Sequence, residues 1–189
     1  MMSEYQQYFE YLTKRSTLGD LYRRFLLYPK VSRLLVGNAL DVGCGLGGMV
    51  QYRPNTIGVD INPHNVNFSN DHGLNVKLMF ENCLPFENAQ FDSALLDNVL
   101  EHLDKPNPLL LEIKRILVPG GLCVIGVPGL LGMRADPDHK IFYGEIELEL
   151  LARETNFEII HFFYTPLWKS TLLSNFLRQY CVYSVWRAR

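Results

Sequence analysis

The stretch of sequence that decides the fold is DVGCGLGG, residues 41–48, which directly follows a short apolar segment. Glycines at a turn from strand to helix permit backbone angles that other residues avoid, and they let a ligand approach the main chain closely. The next apolar segment ends in Asp60, about 20 residues on, where a carboxylate can accept hydrogen bonds from both hydroxyls of a ribose. The spacing therefore predicts a binding turn for an adenosine-containing cofactor.

The glycines alone do not identify that cofactor. Gly43, Gly45 and Gly48 match the fingerprint of nicotinamide dinucleotide sites, whereas Gly43, Gly45 and Gly47 match a second pattern. Asp41 separates the two, because a carboxylate just ahead of the turn would repel the phosphates of a dinucleotide. It suits S-adenosylmethionine, which has no phosphate and carries a positive sulfonium and a positive α-ammonium group.

With these residues, the chain resembles the class I S-adenosylmethionine-dependent methyltransferases over residues 38–165. The resemblance implies that Asp41 acts on the ammonium group, directly or through water, and that the glycine turn lines the methionine and ribose portions. It also implies that Asp60 holds the ribose hydroxyls and that Ile61 packs on adenine. The cofactor-binding residues that we expect are Asp41, Gly43, Cys44, Gly45, Gly47, Asp60, Ile61, Glu81, Asn82, Asp97 and Asn98.

Residues 80–92 match the family's pattern except at one position. Residues 84–86 and 91–92, LPF and FD, match the family's approach to its fourth strand. In the family, an aspartate four residues before this leucine binds the adenine amino group, and here that position is Phe80. Glu81 or Asn82 is expected to take its place, with a solvated turn residue as the alternative for either.

The fourth strand is expected to end in Asp97 and Asn98, followed by VLEH at residues 99–102. The family's strand end faces the methionine portion of the cofactor, so these two residues are expected there and at the floor of the acceptor pocket. Glu101 and His102 are expected to stabilise the helix that follows.

Short apolar segments alternate with amphipathic ones from residue 38 onward, which predicts βα units and a parallel sheet. The resemblance implies an α/β, Rossmann-like sheet of seven strands in the order 3-2-1-4-5-7-6, with strand 7 antiparallel and helices on both faces. We expect one domain over residues 1–189, with a helical cap at 1–37 and a Rossmann-like core at 38–189. Strands are predicted at 38–42, 56–60, 75–79, 91–96, 122–127, 157–164 and 181–186, and helices at 47–53, 63–72, 106–117 and 144–155, with Pro29 separating two helices in the cap.

Composition restricts the partners and the location. A net charge of −2 over 189 residues gives no general attraction to nucleic acid. The four cysteines form no C-x-x-C pair, which favours a reducing cytoplasm and no metal site. The first residues lack the pattern of a signal peptide, and the longest apolar run, residues 122–133, contains Gly126 and Pro128, so no membrane span is expected. The sequence makes no prediction of oligomeric state.

The acceptor side is expected in two regions. Residues 130–143 form a polar loop at the sheet edge where α/β proteins bind ligands, and His139 in it is a weak candidate for a catalytic base. A structural loop residue is the alternative. The N-terminal helices are expected to cover the mouth of the site or simply to pack on the sheet; the residues concerned are Tyr5, Tyr8, Tyr11 and Arg15.

The function that the sequence favours is methyl transfer from S-adenosylmethionine to a small molecule or glycan, with oxygen preferred over nitrogen. Quinone methylation is the nearest enzymatic alternative. A cofactor-binding protein without transferase activity, acting as a regulator or partner subunit, is the alternative of a different class. A dinucleotide oxidoreductase comes third and is disfavoured by Asp41.

Overall fold

The computed structural model describes residues 3–14 and 17–189. The helices are α1 (Glu4–Thr13), α2 (Thr17–Tyr22), α3 (Tyr28–Ser32), α4 (Gly48–Tyr52), α5 (Pro63–Asp71), α6 (Asn107–Ile116), α7 (Leu130–Arg134), α8 (Glu145–Glu154) and α9 (Thr171–Phe176), with a π-helical turn at Arg23–Leu27 and a 3₁₀ turn at Leu100–His102. The strands are β1 (Ala39–Val42), β2 (Thr56–Asp60), β3 (Val76–Leu78), β4 (Phe91–Asp97), β5 (Leu117–Pro128), β6 (Phe157–Thr165) and β7 (Cys181–Ala188). In the part of the chain described, no helix has both the length and the apolar character that crossing a membrane requires.

The strands form one sheet in the order β3-β2-β1-β4-β5-β7-β6. Strands β1 to β5 pair in parallel, whereas β7 runs antiparallel to both of its neighbours, β5 and β6. The predicted fold class, strand order and orientation of β7 are confirmed.

The core lies on both faces of this sheet. Successive residues of a strand point to opposite faces, and β7 shows the alternation: Trp186 packs with residues of α6 and α8, whereas Tyr183 packs with residues of α3. Helices therefore cover both faces, as predicted.

The register places the ends of the central strands together. Asp41 of β1 lies opposite Gly58 of β2 and Leu95 of β4. Because all three strands are parallel, their carboxyl ends meet at one edge, where ligands of open α/β sheets bind. Asp60 and Asp97 are the last residues of β2 and β4.

The prediction that Pro29 separates two helices is wrong. Helical structure continues from Thr17 to Ser32, and Pro29 is the second residue of α3. A proline ring clashes with the carbonyl group four residues earlier in an α-helix. That residue, Phe25, lies in the π-helical turn, whose wider i→i+5 spacing takes its carbonyl out of the clashing position.

Three other boundaries differ from the prediction. Residues 130–143 are not all loop, because α7 forms at Leu130–Arg134, and α9 was not predicted. Strand β5 begins at Leu117 and not at residue 122, with an irregular register before Ser93 pairs with Leu122. These short elements are held by tertiary contacts: the Ser174 hydroxyl of α9, for example, accepts a hydrogen bond from the Leu130 N–H at the start of α7.

Trp186 is expected to be a major source of stability. Its side chain is fully buried against Phe157, and its indole N–H donates to Ser184. Trp186→Ala is expected to lower the free energy of unfolding by about 3–5 kcal/mol, measured by urea denaturation. Arg187→Ala, at the exposed neighbouring position, is the control and should change it by less than about 0.5 kcal/mol. Equal losses for both variants would contradict the described packing of β7.

Candidate active site

A cavity of about 900 Å³ opens at the carboxyl ends of β1, β2 and β4. The predicted cofactor residues line it, with the exception of Gly47. Those that the structure brings together are Asp41, Gly43, Cys44, Gly45, Asp60, Ile61, Glu81, Asn82, Asp97 and Asn98.

Two glycines of the turn, Gly45 and Gly47, are required for different reasons. Gly47 has φ 75°, and a Cβ there would lie 2.6 Å from Leu74, so this glycine is required for packing behind the cavity. Gly45 has φ 56°, and a Cβ there would make only an ordinary contact, at 3.6 Å, with Leu12. The lack of a side chain at Gly45 therefore leaves backbone open to the cavity.

The Asp60 carboxylate is held in one orientation by three donors. Oδ2 accepts the Gly45 N–H at 2.8 Å, and Oδ1 accepts the Asn62 N–H at 2.8 Å and the Asn65 side chain at 3.2 Å. Burial raises the pKa of Asp60, and these hydrogen bonds oppose the rise. Among the described residues Oδ2 has one protein donor, so it can accept another hydrogen bond from a ligand in the cavity.

Asp41 is a buried carboxyl group, with 4% of its surface exposed. Burial, followed by the charges of Asp97 and Asp60, raises its pKa to about 8, whereas Arg23 acts in the opposite direction. A group in this environment favours a positive charge beside it.

Hydrogen bonds from two neighbouring residues hold the side chain of Asp97. Its Oδ1 accepts hydrogen bonds from the Tyr183 hydroxyl of β7 and from the Asn98 side chain. Arg23 lies nearby: burial alone would lower the pKa of its guanidinium, but the charge of Asp97 raises it above its usual range. The Tyr28 hydroxyl bonds the same guanidinium.

Arg23 is the residue that the sequence did not reveal. It lines the cavity and is half-buried, whereas Arg24 beside it is exposed. No motif distinguishes the two arginines, since only the turn of the helix decides which one faces the sheet.

Apolar side chains also line the cavity. Ile61, Met79 and Leu103 line it together with Glu81 and Asn82. This combination can pack on the faces of a flat ring and hydrogen-bond its edge. Phe80, which occupies the family's adenine-contact position, is 72% exposed and is not part of the lining.

Helix α1 closes one side of the cavity. The Asn62 side chain donates to the Tyr5 carbonyl at 2.8 Å, and Phe9 packs against His64 and Phe68 of α5. Tyr5, Tyr8 and Tyr11 all line the cavity. Arg15, the fourth residue predicted in this region, lies outside the described residues.

His139 also lines the cavity, but its ring nitrogens face protein groups. Nδ1 lies 3.1 Å from the Met133 carbonyl, and Nε2 lies 3.8 Å from Oε1 of Glu101. Burial raises the pKa of Glu101 to about 8, and burial followed by the charge of His139 lowers the pKa of His102. Glu101 and His102 therefore contact the predicted loop as well as their own turn, and a catalytic role for His139 stays a prediction.

Comparison with known proteins places this geometry in context. The sequence of residues 40–125 matches the family described as "Methyltransferase domain". An O-methyltransferase, resE, from Aspergillus sclerotiorum is 33% identical in an alignment that covers 65% of this chain and 55% of the fungal protein. A 24-methylenesterol C-methyltransferase 2 from Oryza sativa subsp. japonica is 30% identical, over 64% of this chain and 41% of the rice protein. The chain thus spans about half of the length of these relatives, or less.

The solved structure of an S-adenosylmethionine-dependent methyltransferase from Thermotoga maritima, described as a possible histamine N-methyltransferase, has the same fold. It superposes with a TM-score of 0.76 at 21% identity and covers 100% of both chains. Residues 40–125 are thus similar to the methyltransferase domain family, and the whole chain shares its fold with this structure.

Proposed function

We propose that this chain transfers the methyl group of S-adenosylmethionine to an oxygen atom of a small molecule or glycan. The observation that carries the proposal is the convergence of three carboxylates, Asp41, Asp60 and Asp97, on one cavity. Pockets for small molecules commonly measure about 300–1,000 Å³, so a cavity of about 900 Å³ has room for the cofactor and a small acceptor together.

The methionine portion of the cofactor has two positive groups and one negative group, and the cavity offers the complementary charges. Asp41 and Asp97 would hold the ammonium and sulfonium end. Arg23, whose charge interacts with Asp97, would pair with the carboxylate of the methionine portion, since guanidinium groups bind carboxylates in a fork geometry.

The adenosine portion would occupy the other end. The free lone pair of Asp60 Oδ2 is placed to accept a ribose hydroxyl, because Gly45 and Asn62 fix the carboxylate. Ile61 would pack on the adenine ring, and Glu81 or Asn82 would bond its amino group. In this arrangement the adenosine portion lies near the end of β2 and the methionine portion near the ends of β1 and β4.

The reaction follows from the chemistry of a sulfonium. A lone pair of the acceptor oxygen attacks the methyl carbon in line with the carbon–sulfur bond, which breaks and leaves its electron pair on sulfur. The products are S-adenosylhomocysteine and a methyl ether, and the hydroxyl proton passes to water or to a basic side chain. Positioning alone can supply up to about 7–11 kcal/mol of such a barrier.

A neutral or weakly charged acceptor suits the remaining wall of the cavity. Tyr8, Tyr11 and Arg178 line this wall, and Arg178 already donates to the Tyr11 hydroxyl at 3.1 Å. The net charge of −2 gives no attraction to polynucleotides. The relative from Aspergillus sclerotiorum named as an O-methyltransferase supports oxygen as the acceptor atom.

A transfer assay tests the proposal. Incubation of the full chain with methyl-labelled S-adenosylmethionine and a fractionated metabolite extract should label a small-molecule fraction. Asp60→Ala should lose this product and weaken S-adenosylhomocysteine binding by about 1.5–3 kcal/mol, because hydrogen bonds to a charged group are lost. Asp71→Ala, at an exposed position, is the control. Calorimetry measures the binding, and mass spectrometry measures the product.

Two outcomes of that assay would contradict the proposal. Binding of S-adenosylhomocysteine without label in any fraction would favour a cofactor-binding protein that has no transferase activity. Stabilisation by nicotinamide dinucleotide, and none by S-adenosylhomocysteine, would overturn the cofactor assignment itself.

Arg23→Gln tests the proposed contact to the methionine carboxylate. The variant is expected to weaken S-adenosylhomocysteine binding by about 1.5–3 kcal/mol. It should leave the affinity for 5′-methylthioadenosine unchanged, because that molecule lacks the amino-acid portion. Arg24→Gln, at the exposed neighbouring position, is the matched control. If both ligands lose the same affinity, Arg23 does not bind the carboxylate.

The buried Asp41 makes the stability of the ligand-free chain depend on pH. Its folded pKa of about 8 lies above the unfolded value, about 3.9, so the folded chain retains a proton that the unfolded chain releases. Stability should therefore fall as pH rises through this window, by up to about 1.4 kcal/mol per pH unit. Asp41→Asn should flatten the fall, as measured by urea denaturation at several pH values, and Asp71→Asn should not. If the free energy of unfolding falls with pH equally in the wild type and in Asp41→Asn, Asp41 is not the source of the pH dependence.

A further inference from the structure

Glu101 has a buried carboxyl group whose charge and hydrogen-bonding capacity are not satisfied. Its side chain is 0% exposed, and within residues 3–14 and 17–189 no side chain or backbone group forms a hydrogen bond with either carboxylate oxygen. A buried acidic group without partners is costly, and in a native protein it calls for an explanation such as a bound ion. A bound cation would satisfy these oxygens.

Two histidines lie beside this carboxylate. Nε2 of His139 is 3.8 Å from Oε1 of Glu101, and the ring centroids of His102 and His139 are 4.7 Å apart, edge to face. One ligand atom from each of the three residues lies within 4.8 Å of the other two. Ligands of a tetrahedral Zn²⁺ are about 3.4 Å apart, given bonds of about 2.1 Å. Side-chain rotations that move the ligand atoms by about 1.5 Å would bring them to this separation.

The outer hydrogen bonds of both histidines leave one nitrogen of each ring for a metal. Nδ1 of His139 contacts the Met133 carbonyl at 3.1 Å, and the His102 ring bonds the backbone of Asp138. Histidines that bind metals almost always donate their second ring N–H to a carbonyl or carboxylate in this way, which fixes the tautomer and the direction of the free lone pair.

The backbone holds the three residues together. Glu101 and His102 are neighbours in the 3₁₀ turn at Leu100–His102. The carbonyl oxygen of Glu101 accepts the N–H groups of Lys140 at 2.7 Å and of Ile141 at 3.2 Å. These two bonds bring the loop that carries His139 against the turn, so the arrangement does not depend on side chains alone.

We propose that Glu101, His102 and His139 form a binding site for a divalent metal ion of the Zn²⁺ class, on the wall of the cavity. Two imidazoles and one carboxylate are a donor set that Zn²⁺ accepts, and three protein ligands leave at least one coordination position open. The sequence predicted no metal, because nothing in it connects a turn at residue 101 with a loop at residue 139.

The surroundings favour a cation and orient the open position. Asp97 and Asp136 both exert their charge on Glu101, and Asp138 and Asp136 do so on His102. His102 and His139 line the cavity, whereas Glu101 lies behind them. The open position therefore faces the cavity.

If the proposed function holds, this position would take an oxygen of the acceptor, which selects acceptors with a hydroxyl or carboxylate that can coordinate a metal.

Calorimetric titration of Zn²⁺ into the metal-stripped full chain tests the site without any methyl transfer. The wild-type chain should bind one Zn²⁺ ion and melt at a higher temperature with it. Glu101→Gln and His139→Gln should each weaken binding at least about tenfold. Glu101→Gln should fold at least as well as wild type without metal, because it replaces an unpaired buried carboxyl with a neutral group of the same shape.

Matched controls separate this site from adventitious Zn²⁺ binding. His161→Gln and Cys83→Ser change an exposed imidazole and an exposed thiol, and both should retain wild-type Zn²⁺ affinity. Absence of binding to the folded wild-type chain, or equal affinity in wild type and Glu101→Gln, would overturn the site. A parallel titration with S-adenosylhomocysteine distinguishes the two proposals: cofactor binding without Zn²⁺ binding overturns the metal site and leaves the proposed function standing.

Discussion

Three acidic side chains at the ends of three neighbouring strands are the constraint on which the site depends. Asp41, Asp60 and Asp97 come from β1, β2 and β4, and their charges repel one another within a region of low dielectric constant. The protein compensates in a different way at each position. Backbone and side-chain amides bind Asp60, Tyr183 and Asn98 bind Asp97, and Arg23 offsets the charge on Asp41. The proposed ligand, which carries two positive groups, would complete this compensation.

The topology of the sheet makes this arrangement possible. Parallel strands bring their carboxyl ends to one edge, whereas the antiparallel β7 runs back between β5 and β6 and places Tyr183 beneath Asp97. The ring of Tyr183 lies over Gly126 of β5, where any Cβ would overlap it. Phe163 of β6 stacks on its other side, with ring centroids 4.9 Å apart. Strand β7 therefore fixes a carboxylate that belongs to a different part of the sequence.

The sequence predicted those parts of the molecule that depend on local pattern. The glycine turn, Asp41 and Asp60 are close in sequence and lie on adjacent strands, so their spacing was sufficient to bring them together. Arg23 could not be predicted in the same way, because a π-helical turn determines which of two consecutive arginines faces the sheet. The Glu101 carbonyl oxygen accepts backbone hydrogen bonds from Lys140 and Ile141, which directly follow His139, and no local periodicity predicts such a contact.

The same distinction separates the two halves of the cavity. The half proposed to hold the methyl donor consists of strand ends and the turns that directly follow them, so its geometry is set by the sheet itself. The half proposed to hold the acceptor is assembled from α1, the loop around His139 and the segment that contains Arg178, which come from three distant parts of the chain. Each of these segments can change without disturbing the sheet, since functional loops vary on a rigid scaffold. The relatives that this chain resembles are named for transfer to oxygen and to carbon, which agrees with a scaffold whose loops can vary.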